Sequence, residues 1–130
     1  MAEDGKEMIL QLPHFPRVKI HMRCEEEING LIQESETDLF IADYEVKIKF
    51  LSEHMGQETV HKWFEQLKKA QGLRSIHMVK FHNMRILYML EKGVAYLLLA
   101  FEEKQGHGNT EYRKFIPAAL ERLNEKGSFV

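Results

Sequence analysis

The strongest constraint on the fold of this chain lies between residues 75 and 101, where three strand-like segments are separated by two very short polar turns. The segments run from Ser75 to Phe81, from Met84 to Leu90 and from Val94 to Phe101. The turns contain only His82-Asn83 and Glu91-Lys92-Gly93, and turns of this length are typical of β-hairpins. The pattern predicts an antiparallel meander whose most apolar strand, the last one, lies in the interior of the sheet.

The residues before this meander predict one short strand and one short helix, and they include two stretches whose secondary structure the pattern does not decide. Residues Val18 to Met22 alternate between apolar and mainly basic side chains, which is typical of a half-buried strand. Residues Cys24 to Ser35 place apolar side chains at helical spacing behind three glutamates, which favour the start of a helix. Residues 39–42 are compatible with a strand or an irregular link. Residues 46–51 are compatible with a strand or a helix, because periodicity alone does not separate the two.

Two further stretches predict helices. Residues 57–71 carry apolar side chains at positions i, i+3, i+4 and i+7, and Gly72 stands where a glycine often ends a helix. Residues 110–126 are mostly helical in pattern, with either a helix start near Pro117 or a kink there. Together these elements predict an α+β fold, with helices packed on one face of a twisted antiparallel sheet of three to five strands.

Length and composition exclude several classes of protein. A chain of 130 residues suits one domain with a real hydrophobic core. No apolar run approaches the roughly 18 residues of a membrane span, and the acidic, polar start does not resemble a signal peptide. The single cysteine, Cys24, cannot form an internal disulfide, and the seven histidines include no HxxxH pair. We therefore expect a cytoplasmic protein without a membrane partner, a metal or a cofactor.

The charge is distributed unevenly along the chain. Residues 1–61 contain 6 Lys/Arg and 13 Asp/Glu, whereas residues 62–130 contain 12 Lys/Arg and 7 Asp/Glu. The second half is therefore suited to a polyanionic partner such as RNA, and the first half is not. A chance distribution of solvated charge remains the alternative.

Within residues 63–126 a series of short motifs resembles the RelE/ParE/HigB superfamily of toxin–antitoxin toxins, and especially its phage-derived HigB-like branch. The segment Met84-Arg85-Ile86-Leu87-Tyr88 matches a Tyr-Arg-Ile-Leu-Tyr strand of that family. The apolar strand that follows ends in Ala100-Phe101, where the family has Gly-Phe, and residues 118–122 resemble its last helix. The resemblance implies a RelE-like toxin domain over residues 44–130. Residues 1–43 have no counterpart in the family; we expect them to form an acidic extension, without an assigned structure, that packs on the core.

The resemblance also implies a chemistry. RelE- and HigB-type toxins are ribosome-dependent mRNA endoribonucleases that need no metal, and their reaction requires a base, an acid and a cation beside the scissile phosphate. Arg85 is the expected cation, Lys80 or His82 the expected base or acid, and Tyr112 a residue that stacks on or orients the RNA. Lys104 and His107 are expected to bind substrate, with His107 also a candidate acid.

Two departures from the family pattern bear on activity. Glu102 and Glu103 stand where the family has basic residues, and Pro117 lies inside its final helix. The expected function is that of a type II toxin that inhibits translation, with a cognate antitoxin, the ribosome and mRNA as partners. The alternatives are a non-catalytic binding or regulatory protein of the same fold and a ParE-like inhibitor of DNA gyrase.

Overall fold

The structure is a computed structural model that describes residues 10–104 and 112–130. Its main elements follow in the order β1 (Val18–Ile20), α1 (Met22–Leu31), α2 (Thr37–Glu53), β2 (Phe64–Gln66), β3 (Arg74–Met78), β4 (Met84–Glu91), β5 (Val94–Glu102) and α3 (Ile116–Leu123). None of the helices in these two ranges has the length and apolar character needed to cross a membrane.

The strands form one five-stranded sheet in the order β1-β5-β4-β3-β2. Neighbouring strands from β2 to β5 are antiparallel, as the predicted meander requires, and β5 lies in the interior between β4 and β1. Strand β1 pairs with β5 in parallel, so the sheet is mixed. The α+β class and the interior position of the last meander strand are thus confirmed, and the parallel edge strand is an addition to the predicted sheet.

The helices cover both faces of the sheet, whereas the sequence predicted one. Alternate residues of β4 point to opposite faces. Ile86 and Tyr88 belong to the cluster that buries α1 and α2, while Leu87 belongs to the cluster that buries α3. Strand β5 likewise places Leu97 in the first cluster and Leu99 in the second. Because both faces of the central strands are apolar, both need a covering layer.

Helix α2 runs through position 44, the expected boundary between the N-terminal extension and the toxin domain. Its buried side chains, Phe40, Tyr44, Ile48 and Leu51, lie in the same cluster as residues of β1, α1 and the central strands. Residues 39–42 are therefore helical, and the expectation of a strand or an irregular link there is wrong. For residues 46–51 the helical alternative is confirmed. The described part of the first 43 residues contributes a strand and a helix to the same core as the meander.

The prediction of an amphipathic helix over residues 57–71 is wrong. This stretch forms a 3₁₀ turn at Glu58–Val60, then strand β2 and a further turn. Lys69 and Gln71 have φ angles of 54° and 56°, which a right-handed helix does not admit. Phe64 is buried because its ring packs on the interior of the sheet, and not on a helical face.

The start of helix α3 decides between the two predicted forms of the last helix, one that begins near Pro117 and one that is kinked there. It begins at Ile116 with Pro117 in its first turn, after a 3₁₀ turn at Tyr112–Phe115. Proline is favoured in the first turn of a helix, because its missing N–H would have no intrahelical partner there. The predicted helix start near Pro117 is therefore confirmed, and the kinked alternative is not needed.

An ion pair between α1 and α3 provides hydrogen-bond partners for backbone groups of β5 beyond residue 97, where β1 no longer pairs with that strand. Leu98 is the extra residue of a β-bulge opposite β4. Its carbonyl accepts a hydrogen bond of 2.9 Å from Arg122, and the N–H of Ala100 donates one of 3.0 Å to Glu27. Arg122 also donates to both carboxylate oxygens of Glu27, at 2.9 and 2.8 Å. The pair thus links an acidic residue of the first half to a basic residue of the second.

The C-terminal residues close the other edge of β1. The N–H of Ile20 donates to the carbonyl of Val130 at 3.1 Å, and the N–H of Val130 donates back at 2.9 Å. The buried ring of His21 contacts Glu125, with 2.7 Å between Nε2 and Oε1, and its Nδ1 accepts from the N–H of Arg23 to cap α1. Residues 125–130 therefore lie beside β1 and the start of α1 at one edge of the sheet.

Candidate functional site

Arg85, the expected phosphate-binding cation, is the second residue of β4, the central strand of the sheet, and is surrounded by polar groups. Its Nε donates to Oε1 of Glu103 at 2.8 Å. Its Nη1 lies 3.4 Å from Oε1 of Glu65 and 3.4 Å from the hydroxyl of Ser75, which are long contacts. The Arg85 side chain keeps 19% of its surface exposed. The guanidinium is therefore oriented mainly by Glu103, while its Nη1 end is held only loosely.

Arg85 and Tyr112 line the same cavity, although 27 positions separate them in the chain. The cavity has a volume of about 180 Å³ and is lined by Glu65, Leu67, Ser75, Arg85, Phe101, Glu103 and Tyr112. Tyr112 reaches it from the 3₁₀ turn before α3, and Arg85 from the centre of the sheet. We call this space the Arg85 cavity. It contains one guanidinium, two carboxylates, a serine hydroxyl and a largely buried tyrosine.

Lys80 and His82 do not share a strand face as the sequence suggested, because β3 ends at Met78. Both lie in the turn between β3 and β4, where His82 and Asn83 adopt φ angles of 57° and 55°. The His82 ring contacts Glu36, with 3.0 Å between Nε2 and Oε1. Hydrogen bonds from the backbone N–H of Gln33 and from His82 hold the pKa of Glu36 below its ordinary value.

His82 and Lys104 line a second, wider space beside the Arg85 cavity. This depression has a volume of about 590 Å³ and is bordered by Val79, His82, Asn83, Glu102, Glu103 and Lys104. Glu103 borders both spaces, so the two adjoin. We call the second space the His82 depression. His107, expected to bind substrate or act as an acid, lies outside the described residues.

Lys80 lines a third space, in which three lysines converge. It has a volume of about 470 Å³ and is lined by Asp43, Lys47, Lys62, Trp63, His77, Val79 and Lys80. We call it the lysine cavity. Lys47 is buried, lies 2.6 Å from Asp43 and stands 5.4 Å from the centre of the Trp63 ring. Lys62 and Lys80 are exposed at its rim.

His77 connects the lysine cavity with the Arg85 site. It pairs directly with Arg85 across β3 and β4, and side chains in such a pair lie on the same face of the sheet. Its Nε2 contacts the side-chain oxygen of Asn83, whose amide donates to the carbonyl of Glu103 at 2.9 Å. Burial lowers the pKa of His77 below its ordinary value, and the neighbouring charge of Arg85 acts in the same direction. The contact with Asn83 opposes this shift but does not outweigh burial.

A buried network around Glu58 was not anticipated from the sequence. Glu58 is fully buried and accepts hydrogen bonds from Arg74 at 2.6 Å, from the Tyr88 hydroxyl at 2.7 Å and from the N–H of Gly56 at 2.7 Å. Burial opposes its ionisation, but the hydrogen bonds outweigh this effect and lower the pKa of Glu58. Burial and donation to Glu58 raise the pKa of Tyr88 far above its ordinary value. Nothing local in the sequence marks this network, because its partners are 16 and 30 positions away.

No family model matches the chain, and neither a curated protein nor a solved structure gives a significant match.

Proposed function

We propose that this protein is a toxin of a type II toxin–antitoxin module and that it inhibits translation by cleaving mRNA on the ribosome. The observation that carries the proposal is the shared Arg85 cavity. Arg85 and Tyr112, the two residues to which the resemblance gives the cationic and the RNA-orienting roles, line this one cavity although they are distant in the chain. The resemblance of residues 63–126 to the RelE/ParE/HigB superfamily supplies the reaction class.

The contents of the cavity suit RNA cleavage by an internal nucleophile. The 2′-oxygen of the substrate attacks the adjacent phosphorus, and the bond from phosphorus to the 5′-oxygen breaks, which leaves a 2′,3′-cyclic phosphate and a 5′-hydroxyl. Arg85 stabilises the charge that develops on the phosphorane. Glu65, half-exposed beside Nη1 of Arg85, is placed to accept the 2′-hydroxyl proton. The residues expected to return a proton to the 5′-oxygen are His82 and His107.

Alanine at position 85 tests the proposal directly. When the wild-type chain is induced in bacteria, we expect primer extension on a reporter mRNA to show cuts inside translated codons. In Arg85→Ala these cuts should fall by about 10²–10³-fold, the effect of removing one donor that stabilises transition-state charge. Arg23→Ala, which removes an exposed arginine of α1, is the matched control and should cleave like the wild type.

The outcomes of this experiment separate the candidate functions. Equal cleavage by Arg85→Ala and the wild type would contradict the assignment of the site. Intact mRNA with normal growth would favour a non-catalytic protein. Intact mRNA with arrested growth would point to a protein target such as DNA gyrase.

A non-catalytic binding protein is the second candidate, and the carboxylates beside Arg85 favour it. Glu103 lies 2.8 Å from Nε of Arg85, and Glu65 lies 3.4 Å from Nη1. Two carboxylates beside one guanidinium compete with a phosphate for the same donors. In this case the carboxylates would only weaken RNA binding and would take no part in chemistry.

The substitution Glu65→Gln distinguishes these two roles. If Glu65 accepts the proton, cleavage in a reconstituted translation complex should fall by about 10²–10⁴-fold while binding to the complex is retained. If the protein is non-catalytic and Glu65 only competes with phosphate, the same substitution should increase binding, and neither the wild type nor the variant should cleave. Glu26→Gln, an exposed glutamate of α1, provides a control of equal charge change.

A further inference from the structure

We propose that the lysine cavity is a second RNA-binding subsite, which holds the phosphate backbone of single-stranded RNA next to the segment bound at Arg85. This inference rests on the proposed function, because it assigns the same strand to both sites. The resemblance gives no functional role to four residues that line this cavity. Two of them, Asp43 and Lys47, belong to α2, and the other two, Lys62 and Trp63, to the segment before β2.

The cavity collects positive charge from three separate parts of the chain. Lys47 comes from α2, Lys62 precedes β2, and Lys80 follows β3. The carboxylate that lines the cavity, Asp43, pairs with Lys47 at 2.6 Å. The lining therefore has a surplus of two positive charges, and both belong to exposed lysines at its rim. Such a surplus attracts anions and is the usual electrostatic mark of a phosphate-binding surface.

The floor of the cavity is aromatic and held in place. The Trp63 ring is flanked by His61, with 3.7 Å between ring centres, and by the edge-on ring of Phe50 at 5.9 Å. The buried ammonium of Lys47 lies 5.4 Å from the Trp63 ring centre. Positively charged grooves with an aromatic ring are typical of proteins that bind single-stranded nucleic acids, because the ring contacts a base or ribose while the cations hold the phosphates.

The position of the cavity favours a polymer over an isolated small anion. Val79 borders both the lysine cavity and the His82 depression, and Glu103 borders both the depression and the Arg85 cavity. The three spaces therefore follow one another across the β3–β4 turn. A strand bound at Arg85 can continue past His82 to the three lysines. An acidic peptide is the competing occupant, but it would make no use of the phosphate chemistry assigned to Arg85.

Trp63 provides a local measurement, because it is the chain's single tryptophan. We expect a 2′-O-methylated decauridylate, which cannot be cleaved by its own 2′-oxygen, to quench Trp63 fluorescence in a saturable manner. For single strands the logarithm of the binding constant falls with the logarithm of salt concentration by about 0.7 per phosphate contact. In Lys62→Ala/Lys80→Ala this slope should become shallower by about 1.4, and affinity at low salt should fall at least about tenfold.

A matched pair of lysines controls for net charge. Lys19→Ala/Lys49→Ala removes two exposed lysines, one on β1 at the far edge of the sheet and one on α2, and neither lines the cavity. This variant should keep the wild-type slope and affinity. Equal losses in the two double variants would overturn the subsite. So would an absence of any Trp63 response to the oligonucleotide in the wild type.

Two further measurements test this inference separately from the proposed function and from binding of an acidic peptide. Arg85→Ala should lower cleavage by about 10²–10³-fold yet keep most of the Trp63 response, so loss of one readout does not entail loss of the other. A decaglutamate peptide should bind more weakly than the oligonucleotide. Tighter binding of the peptide would overturn the assignment to RNA and identify the cavity as a protein-binding site.

Discussion

Replacing Glu58 with alanine is expected to lower the free energy of unfolding by about 3–5 kcal/mol, as happens when one partner of a buried ion pair is removed. The substitution leaves Arg74 without its carboxylate and the Tyr88 hydroxyl without its acceptor, although Tyr88 is fully buried. A buried donor without a partner retains its full desolvation cost. Urea unfolding followed by circular dichroism measures the change.

Two companion variants make the expectation specific. Tyr88→Phe removes one donor and keeps the ion pair, so its cost should be smaller, about 1–3 kcal/mol. Glu45→Ala removes an exposed glutamate of α2 and should change the free energy of unfolding by no more than about 0.5 kcal/mol. A loss for Glu58→Ala as small as that for Glu45→Ala would contradict the role given to the network.

The Glu58 network also predicts a pH dependence. Because the pKa of Glu58 is lowered in the folded protein, its ionised form stabilises the fold above the pKa of the unfolded chain, about 4.3. That contribution is lost as the pH falls through the lower folded value. The free-energy difference between the wild type and Glu58→Gln should therefore be largest near neutral pH and shrink in acid.

The second large effect is expected at Arg122. Arg122→Ala removes two hydrogen bonds to Glu27 and one to the Leu98 carbonyl at the β-bulge. We expect the free energy of unfolding to fall by about 1.5–3 kcal/mol, the range for hydrogen bonds to charged groups, and not more, since Glu27 keeps access to water. The exposed edge of β5 should also make the variant more prone to associate.

The two effects of Arg122→Ala need separate measurements. Chemical denaturation gives the stability loss, and sedimentation velocity at increasing protein concentration gives the association. Arg23→Ala serves as the control, because this exposed arginine lies on α1 away from the bulge. If Arg122→Ala matches Arg23→Ala in both stability and association, the prediction is contradicted, and water replaces the ion pair at this edge.

The meander was predictable because its information is local. Strands β3, β4 and β5 are consecutive, and the turns between them contain residues that accept positive φ, such as Asn83 and Gly93. Strand β1 was recognised from its alternation, but its parallel pairing with β5 was not. No local pattern specifies which distant strand a short edge strand will join.

The false helix over residues 57–71 has a physical explanation. Its apolar residues match helical spacing, but they do not share one buried face: Val60 is exposed, whereas Phe64 and Leu67 belong to clusters on opposite faces of the sheet. Trp63 packs against His61 and Phe50, whereas Phe64 packs against Phe50 and Tyr88. Tertiary contacts therefore override the periodicity, and a one-dimensional pattern does not record which partner buries each side chain.

The candidate site was predictable only in part. Arg85 and Tyr112 were both selected from the sequence, and the structure places them at one cavity. The contact of Glu65 with Arg85 was not predicted, because Glu65 was assigned to the false helix. Glu103 was recognised as an unusual acidic residue, but its direct hydrogen bond to Nε of Arg85 depends on strand register.

The packing of the C-terminal residues beside β1 bears on the order of folding. The contact between His21 and Glu125 joins residues 104 positions apart, whereas the β3–β4 and β4–β5 pairs form between adjacent segments. Closing the longer loop costs more conformational entropy, so the meander is the natural nucleus and the β1 edge the last part to form. We therefore expect substitutions at the β1 edge to change mainly the rate of unfolding, and substitutions in the hairpins to change mainly the rate of folding.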